Sequence, residues 1–298
     1  MIDFKPTFLK EATDTNEMMC YLNEYEVLLK SNAKKLQSQG VKIRDQVFEC
    51  CAFSMVSNNP KDKHILLLGG MGPLAGVHGA KDVINMIGNS ASITLFQACG
   101  IPERRIDAEV PKYLLSALNS AIKICPKNKK IEFVILCNSA HKYIQDIISH
   151  SNFQDKLNFY SFIDGVKKYS DIFKDEKSII LQTDFTAKNR LYNEVKNLFC
   201  LDDIFVSSTQ KNYLSSIIDG VKTFDKDKIL KNSTLLFKAL KDYGIKKVLL
   251  GCTELPVAIE CIKTYADEET KNLLDAFEFV NPLHLSIREL QKNQEKMK

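Results

Sequence analysis

Residues 131–141, Ile-Glu-Phe-Val-Ile-Leu-Cys-Asn-Ser-Ala-His, combine the signal of a buried strand with that of a helix start. The run 131–136 is almost continuously apolar, which predicts a strand buried on both faces. Asn138 and Ser139 are good N-cap residues, and apolar side chains recur at helical spacing after them. Cys137 is therefore predicted at the carboxyl end of a strand, beside the start of a helix.

The same construction returns at residues 248–254, Val-Leu-Leu-Gly-Cys-Thr-Glu, which precede another helical pattern. The interval from Gly70 to Cys137 nearly equals that from Thr183 to Cys252, which indicates two similar α/β halves. In open parallel sheets the ligand site lies outside the carboxyl ends of the strands. If the halves face each other, Cys137 and Cys252 point into one cleft.

Most of the chain alternates short apolar runs with amphipathic ones, which predicts parallel sheets with right-handed crossovers. The predicted fold class is α/β, with two pseudo-symmetric parallel-sheet domains and an active-site cleft between them. The first domain covers residues 61–165, joined by the C-terminal 270–298, and the second covers 166–269, with a linker near 164–168. Strands are predicted at 65–68, 92–96, 131–136, 159–163, 178–181, 204–206 and 248–250.

Residues 1–60 differ from the rest and are predicted to form an N-terminal helical extension. Asp14 can cap a first helix, whose apolar positions recur at helical spacing: Met18, Met19, Leu22, Tyr25 and Leu29. A second helical run after Gly40 carries Val41, Val47, Phe48 and Cys51. The extension is expected to pack on the main body or to form a subunit contact.

Composition narrows the function classes. The 298 residues are 45% hydrophobic and carry a net charge of +4, which permits an anionic small molecule as ligand. Because no dense basic run interleaves with aromatics, no nucleic acid is expected as a partner. No apolar stretch approaches the length of a membrane span, so no membrane is expected either. Nine cysteines without C-x-x-C spacing indicate neither a disulfide frame nor a zinc ribbon, and a reducing cytoplasm fits best.

A glycine-rich turn, Gly70-Met71-Gly72-Pro73-Leu74-Ala75, follows the first predicted strand of the main body. It matches the dinucleotide-binding pattern, but the next strand does not end in the acidic residue that would hold a ribose. A tight turn whose backbone amides face the cleft is therefore favoured. Such amides can receive a carboxylate.

A lone strand-end cysteine is more often a small buried hydrophobe than a reactive group. Two cysteines in matched positions favour a catalytic role for both. A helix start lowers a thiol's pKa and apolar burial raises it, so a pair of one thiolate and one thiol is expected. One thiolate can remove a proton from a stereocentre while the other thiol returns one on the opposite face. Disulfide exchange also suits thiol pairs, but redox cysteines usually lie close in sequence.

Several motifs fall in an order that resembles the aspartate/glutamate racemase family. They are Leu-Gly-Gly-Met-Gly-Pro-Leu-Ala (68–75), Ile-Pro-Glu-Arg (101–104), Cys-Asn-Ser-Ala-His (137–141), Thr-Asp-Phe-Thr (183–186), Gln-Lys (210–211) and Gly-Cys-Thr-Glu-Leu (251–255). The resemblance covers about residues 65–290. It implies a cofactor-independent enzyme of two pseudo-symmetric α/β domains, each supplying one cysteine, and a homodimer.

The resemblance also implies roles for individual residues. Cys137 and Cys252 correspond to the two acid/base thiols. Arg104 and Lys211 correspond to residues that read a side-chain carboxylate, and Glu254 after the second cysteine is typical of the aspartate branch. The remaining substrate-binding residues implied are Gly70, Met71, Asn138, Ser139, Thr183 and Thr253. His141 is expected to be structural.

The expected function is therefore racemisation of a dicarboxylic amino acid, aspartate or also glutamate, without PLP or any other cofactor. Three departures bear on the substrate: Ser139 replaces a threonine, Phe185 stands at a glycine position, and Gly76 stands where threonine is common. The alternatives are an enzyme of the same fold acting on another carboxylic acid, such as a hydantoin racemase or maleate isomerase, and a catalytically idle binding module.

Overall fold

A computed structural model describes residues 4–40, 50–57, 63–70, 72–101, 109–127, 129–151 and 153–295. Its strands are β1 (Phe8–Ala12), β2 (Cys51–Met55), β3 (His64–Gly69), β4 (Ser92–Gln97), β5 (Ile131–Ile135), β6 (Leu157–Phe159), β7 (Ser178–Gln182), β8 (Leu198–Phe199), β9 (Lys247–Gly251) and β10 (Glu278–Val280). Its α-helices are α1 (Thr15–Ser38), α2 (Pro73–Ile87), α3 (Val110–Ile124), α4 (Ile144–Ser149), α5 (Phe162–Lys168), α6 (Asp184–Lys188), α7 (Leu201–Ile204), α8 (Thr209–Thr223), α9 (Lys226–Asp242), α10 (Glu254–Tyr265), α11 (Glu268–Leu274) and α12 (Pro282–Glu295).

Two sheets organise the chain, which confirms the predicted α/β class. The first sheet has the strand order β1-β2-β4-β3-β5-β6, and the second has the order β10-β9-β7-β8. Every neighbouring pair is parallel except β2 and β4, which are antiparallel. No helix in the described part of the chain is long and apolar enough to cross a membrane.

Strand β3 shows why the central strands are apolar throughout. Ile65 and Leu67 belong to the hydrophobic core on one face of the sheet, while Leu66 and Leu68 belong to the core on the other face. Because side chains alternate between the faces of a strand, a strand covered by helices on both sides buries every side chain and is apolar throughout. The strand predictions at 65–68, 92–96, 131–136, 178–181 and 248–250 are confirmed to within two residues.

The N-terminal segment corrects the prediction of a purely helical extension. Helix α1 is confirmed, with the Asp14 side chain accepting from the Glu17 backbone amide at 2.9 Å, and its apolar face packs into the core of the first sheet. However, β1 and β2 flank this helix and extend that sheet. Cys51, assigned to a second helix, lies in β2, whereas residues 41–49 fall outside the described residues. Every residue of β2 is buried, so its sequence carries no alternation to reveal a strand.

Two predicted strands are wrong. In place of a strand at 159–163, β6 ends at Phe159 and α5 begins after Ser161, whose hydroxyl accepts from the Asp164 backbone amide at 3.2 Å. The linker predicted at 164–168 is therefore helical. In place of a strand at 204–206, helix α7 occupies 201–204. Short apolar runs fit either structure, and the N-cap at Ser161 favours the helix in the first case.

Contacts between the two halves involve α1, α2 and α10. His78 of α2 approaches Glu260 of α10, with 2.7 Å between Nε2 and Oε2. The Gln37 side chain of α1 donates to the Thr223 carbonyl at the end of α8, at 2.8 Å. Phe224, which follows α8, packs against the core of the first sheet. The N-terminal helix therefore contacts both halves of the molecule.

Candidate active site

Cys137 and Cys252 occupy matched positions at the carboxyl ends of the two sheets. Cys137 lies two residues after β5, and Cys252 directly follows β9. Both are buried, with 8% and 5% of their surfaces exposed. Cys137 belongs to a hydrophobic core of the first sheet and Cys252 to a core of the second. Each half of the molecule therefore supplies one buried thiol.

Tyr192 is a buried tyrosine whose hydroxyl reaches from the second half to the residue after Cys137. It lies between α6 and β8 in the second half and is 5% exposed. Burial raises the pKa of its phenol, and the proximity of Cys137 and Cys252 raises that pKa further. Its hydroxyl donates a hydrogen bond to Oδ1 of Asn138, the residue after Cys137. The two cysteines therefore lie near one phenol, at the junction of the two halves.

Tyr192 was missed in the sequence. It lies in a polar stretch without helical or strand periodicity, and nothing there distinguishes a buried tyrosine from an exposed one. Only its contacts identify it.

Three hydroxyl groups meet beside this junction. Ser139 Oγ lies 3.3 Å from Thr183 Oγ1 and 3.2 Å from Thr186 Oγ1, and the two threonine oxygens are 3.0 Å apart. Thr183 also caps α6 by accepting from the Thr186 backbone amide at 3.2 Å. The structure thus brings together Ser139 and Thr183, which were predicted, and adds Thr186, which was not singled out as a site residue.

Glu254 lies against the Cys252 thiol. The Cys252 Sγ–H donates to Glu254 Oε2 at 2.9 Å, and Thr253 Oγ1 lies 3.4 Å from the same oxygen. Burial raises the pKa of Cys252 well above its ordinary value, and the Glu254 charge raises it further. For this cysteine, burial therefore outweighs any lowering by the adjacent helix start, and the group is a thiol at neutral pH.

The glycine turn of the first half meets Glu254 of the second. A Cβ added at Gly72 would lie 2.5 Å from Glu254 Oε1, so the carboxylate fills the space that this glycine leaves. Gly70 has φ +133° and lies against the Ala98 backbone, where a Cβ would come within 2.4 Å of the carbonyl. Only glycine fits there. Met71 and Arg104 lie outside the described residues, so their predicted roles stay predictions.

Lys211 occupies a different place from the hydroxyl cluster. Its ammonium pairs with Asp202, and it lines a small surface pocket in the second half. Cys200 and Gln182 also line this pocket. Gln182 directly precedes Thr183, so the pocket adjoins the start of α6. A role for Lys211 toward a substrate carboxylate stays a prediction.

His141 stabilises the loop that carries Cys137. Its Nδ1 donates to the Cys137 carbonyl at 2.9 Å, and its Nε2 accepts from the Phe162 backbone amide at 3.0 Å. Burial lowers its pKa to about 4, so the imidazole is neutral. These contacts agree with the structural role expected for it.

Comparison with solved structures identifies the fold. No protein-family model matches the chain. Picrophilus torridus aspartate racemase is similar with a TM-score of 0.58 and 20% identity, over 78% of this chain and 94% of that one. The chain has the aspartate/glutamate racemase fold.

Two further structures agree with this fold. Glutamate racemase isoform RacE1 from Bacillus anthracis has a TM-score of 0.55 and 14% identity, over 80% of this chain and 84% of its own. An aspartate racemase homologue from Pyrococcus horikoshii OT3 has a TM-score of 0.50 and 18% identity, over 77% and 98%. Similarity at this level of identity describes the fold of the chain.

Proposed function

We propose that this protein is a cofactor-independent amino-acid racemase that interconverts L- and D-aspartate, with glutamate as a second candidate substrate. The observation that carries the proposal is the pair of buried thiols, Cys137 and Cys252, each at the carboxyl end of a strand in one half. Inversion of a stereocentre by proton transfer requires one group on each face of the carbon, and in this proposal the two thiols are those groups.

In the proposed reaction, one thiolate takes the Cα proton and the opposite thiol gives its proton to the other face. Cys252 is a thiol hydrogen-bonded to Glu254, so it acts as the acid when a Cys137 thiolate acts as the base. One proton leaves carbon and one arrives, and the negative charge passes from the Cys137 sulfur to the Cys252 sulfur. The reverse reaction, or exchange with solvent, restores the starting state.

Removal of a proton beside a carboxylate creates a dianion, whose charge must be stabilised by donors already in position. The candidates are the Asn138 amide, the hydroxyls of Ser139 and Thr183, and the backbone amides of the glycine turn. Asn138 is 3% exposed, and water is largely excluded from its side chain. In such an environment a hydrogen bond to a developing charge is stronger than in water.

Aspartate is the preferred substrate in this proposal because Glu254 follows the second cysteine and because Arg104 and Lys211 match residues that read a side-chain carboxylate. Each charge-assisted hydrogen bond to that carboxylate would contribute about 1.5–3 kcal/mol. A homodimer and a cytoplasmic location remain predictions from the sequence.

The test is incubation of the purified protein with L- or D-aspartate, and separately with L- or D-glutamate, in D₂O. Deuterium at Cα together with inversion supports the proposal. Cys137→Ser and Cys252→Ser should each lower the rate by about 10²–10⁴-fold, whereas the control Cys261→Ser should retain it. Absence of exchange by the folded protein would overturn the proposal. Turnover of a hydantoin or of maleate instead would identify a different enzyme on the same fold.

A further inference from the structure

The hydrogen bond from Tyr192 to Asn138 joins the two halves of the molecule at the candidate site. Tyr192 belongs to the second half, where its ring packs in a core with Ile180 and Leu249. Asn138 belongs to the first half and directly follows Cys137. The ring is thus fixed by one half, and its hydroxyl holds a side chain of the other.

Tyr192 remains a donor throughout the pH range in which an enzyme of this kind works. Burial raises its pKa and the two nearby thiols raise it further, so the phenol keeps its proton. Because that proton goes to Asn138 Oδ1, the amide is held with its oxygen toward Tyr192 and its nitrogen away from it.

The amide nitrogen that this orientation presents is a buried donor. Asn138 Nδ2 is inaccessible to solvent and has no hydrogen-bond partner among the residues that the structure describes. Leaving such a donor unsatisfied costs about 1–3 kcal/mol. A donor kept at that cost, on the residue next to Cys137, is suited to a negatively charged oxygen of a ligand.

We propose that Tyr192 is a positioning residue that holds the Asn138 amide so that Nδ2 receives the α-carboxylate of the substrate between the two thiols. This inference rests on the proposed function and adds to it a residue that acts through Asn138 rather than on the reacting atoms. Because the donor and the acceptor come from different halves, Nδ2 is oriented only when the halves are in contact as they are here.

The experiment is a double-mutant cycle of Tyr192→Phe, Asn138→Ala and the combined variant. Tyr192→Phe removes only the hydroxyl, after which the amide is free to turn its oxygen toward the substrate. The matched control is Tyr169→Phe, which removes a hydroxyl that donates to Glu289 at 2.7 Å, at the C-terminal end of α5. Two quantities are measured for each protein: kcat/KM for L-aspartate, and Kd for DL-aspartate by calorimetry, since a racemic mixture undergoes no net turnover.

Tyr192→Phe is expected to lower kcat/KM about 10- to 100-fold, as misplacement of a substrate-binding group does, and to weaken Kd. It should leave the pH dependence of kcat/KM unchanged, because the phenol does not titrate in this range. In the Asn138→Ala background the same substitution should change either quantity by less than about twofold. Equal losses in both backgrounds, or no loss in either, would overturn the inference.

The outcomes separate this inference from the proposed function. Racemisation by the wild type with additive losses overturns the role of Tyr192 alone. Binding of DL-aspartate without racemisation overturns the proposed function, and the Kd cycle still decides the role of Tyr192. Neither binding nor turnover overturns both. If Tyr192→Phe does not fold, two sets of wild-type resonances decide: the Tyr192 hydroxyl proton and the Asn138 side-chain amide. A hydroxyl proton that is protected from exchange, together with an amide shift on saturation with DL-aspartate, supports the inference. Free exchange of the hydroxyl proton, or no amide shift, overturns it.

Discussion

A single methyl group added at Gly72 is expected to move Glu254 away from the Cys252 thiol. Gly72 has φ −137° and ψ 101°, a conformation open to alanine, so Gly72→Ala causes no backbone strain. The new Cβ would lie 2.5 Å from Glu254 Oε1, whereas ordinary contacts begin near 3.4 Å. The carboxylate must therefore shift by about 1 Å, a misplacement that can cost up to about 10²-fold in rate.

The expected result is a loss of about 10- to 100-fold in kcat/KM for aspartate, with a stability loss of about 1 kcal/mol or less at this N-cap position. Racemisation is followed by circular dichroism and stability by urea unfolding. Ala75→Gly, in the same first turn of α2, serves as a control with a comparable stability cost of about 1 kcal/mol and no approach to Glu254.

The same substitution in a Glu254→Ala background tests whether Glu254 transmits the effect. Without the carboxylate, the methyl group at Gly72 has nothing to displace, so Gly72→Ala should leave kcat/KM of the Glu254→Ala enzyme unchanged. A wild-type kcat/KM in the single variant, or the same loss in both backgrounds, would refute the argument.

Three other substitutions test separate parts of the site and its surroundings. Burial raises the pKa of Cys252 and the Glu254 charge raises it further, so Glu254→Gln should lower that pKa. Iodoacetamide should then modify Cys252 faster at pH 8, as followed by mass spectrometry, and an unchanged rate contradicts this. Phe185→Ala should raise the ratio of kcat/KM for glutamate over aspartate about tenfold, and a constant ratio would show that this ring does not limit the pocket. Burial alone would lower the pKa of His78, but its hydrogen bond to Glu260 raises it above the ordinary value. The pair therefore stabilises the fold fully below pH about 6.5 and loses its effect as pH rises through the raised pKa. The free energy of unfolding should fall by about 0.5–1 kcal/mol between pH 6 and pH 8, and His78→Gln should abolish that fall.

The parts of the fold that could be predicted are those whose signals are local. The strands that carry Cys137 and Cys252 are apolar runs ended by turn or cap residues, and such runs are recognisable one at a time. Strand β2 was missed because Cys51 also fits the apolar spacing of a helix after Gly40, and only its pairing with β4 shows that the segment is a strand. The antiparallel direction of that pair has no local signature either.

In the candidate site, too, the residues with a local signal could be predicted and those defined by distant contacts could not. The cysteines and the hydroxyl residues stand in motifs, whereas Tyr192 is recognisable only by contacts across the junction of the two halves. Gly76 gives a further case. A Cβ there would lie 2.1 Å from Gln97 Oε1, so the buried Gln97 side chain fills the space that a threonine at this position would need. Glutamine in β4 and glycine in α2 compensate each other in volume, and neither position alone reveals it.

The N-terminal helix has a mechanical consequence. Lys81 of α2 binds Glu26 near the middle of α1, while the far end of α1 holds the Thr223 carbonyl through Gln37. Any motion that moves the second sheet away from the first must break the hydrogen bond between Gln37 and Thr223 and remove Phe224 from the core of the first sheet. The helix thus opposes separation of the two halves, and a ligand that enters between them must overcome these contacts.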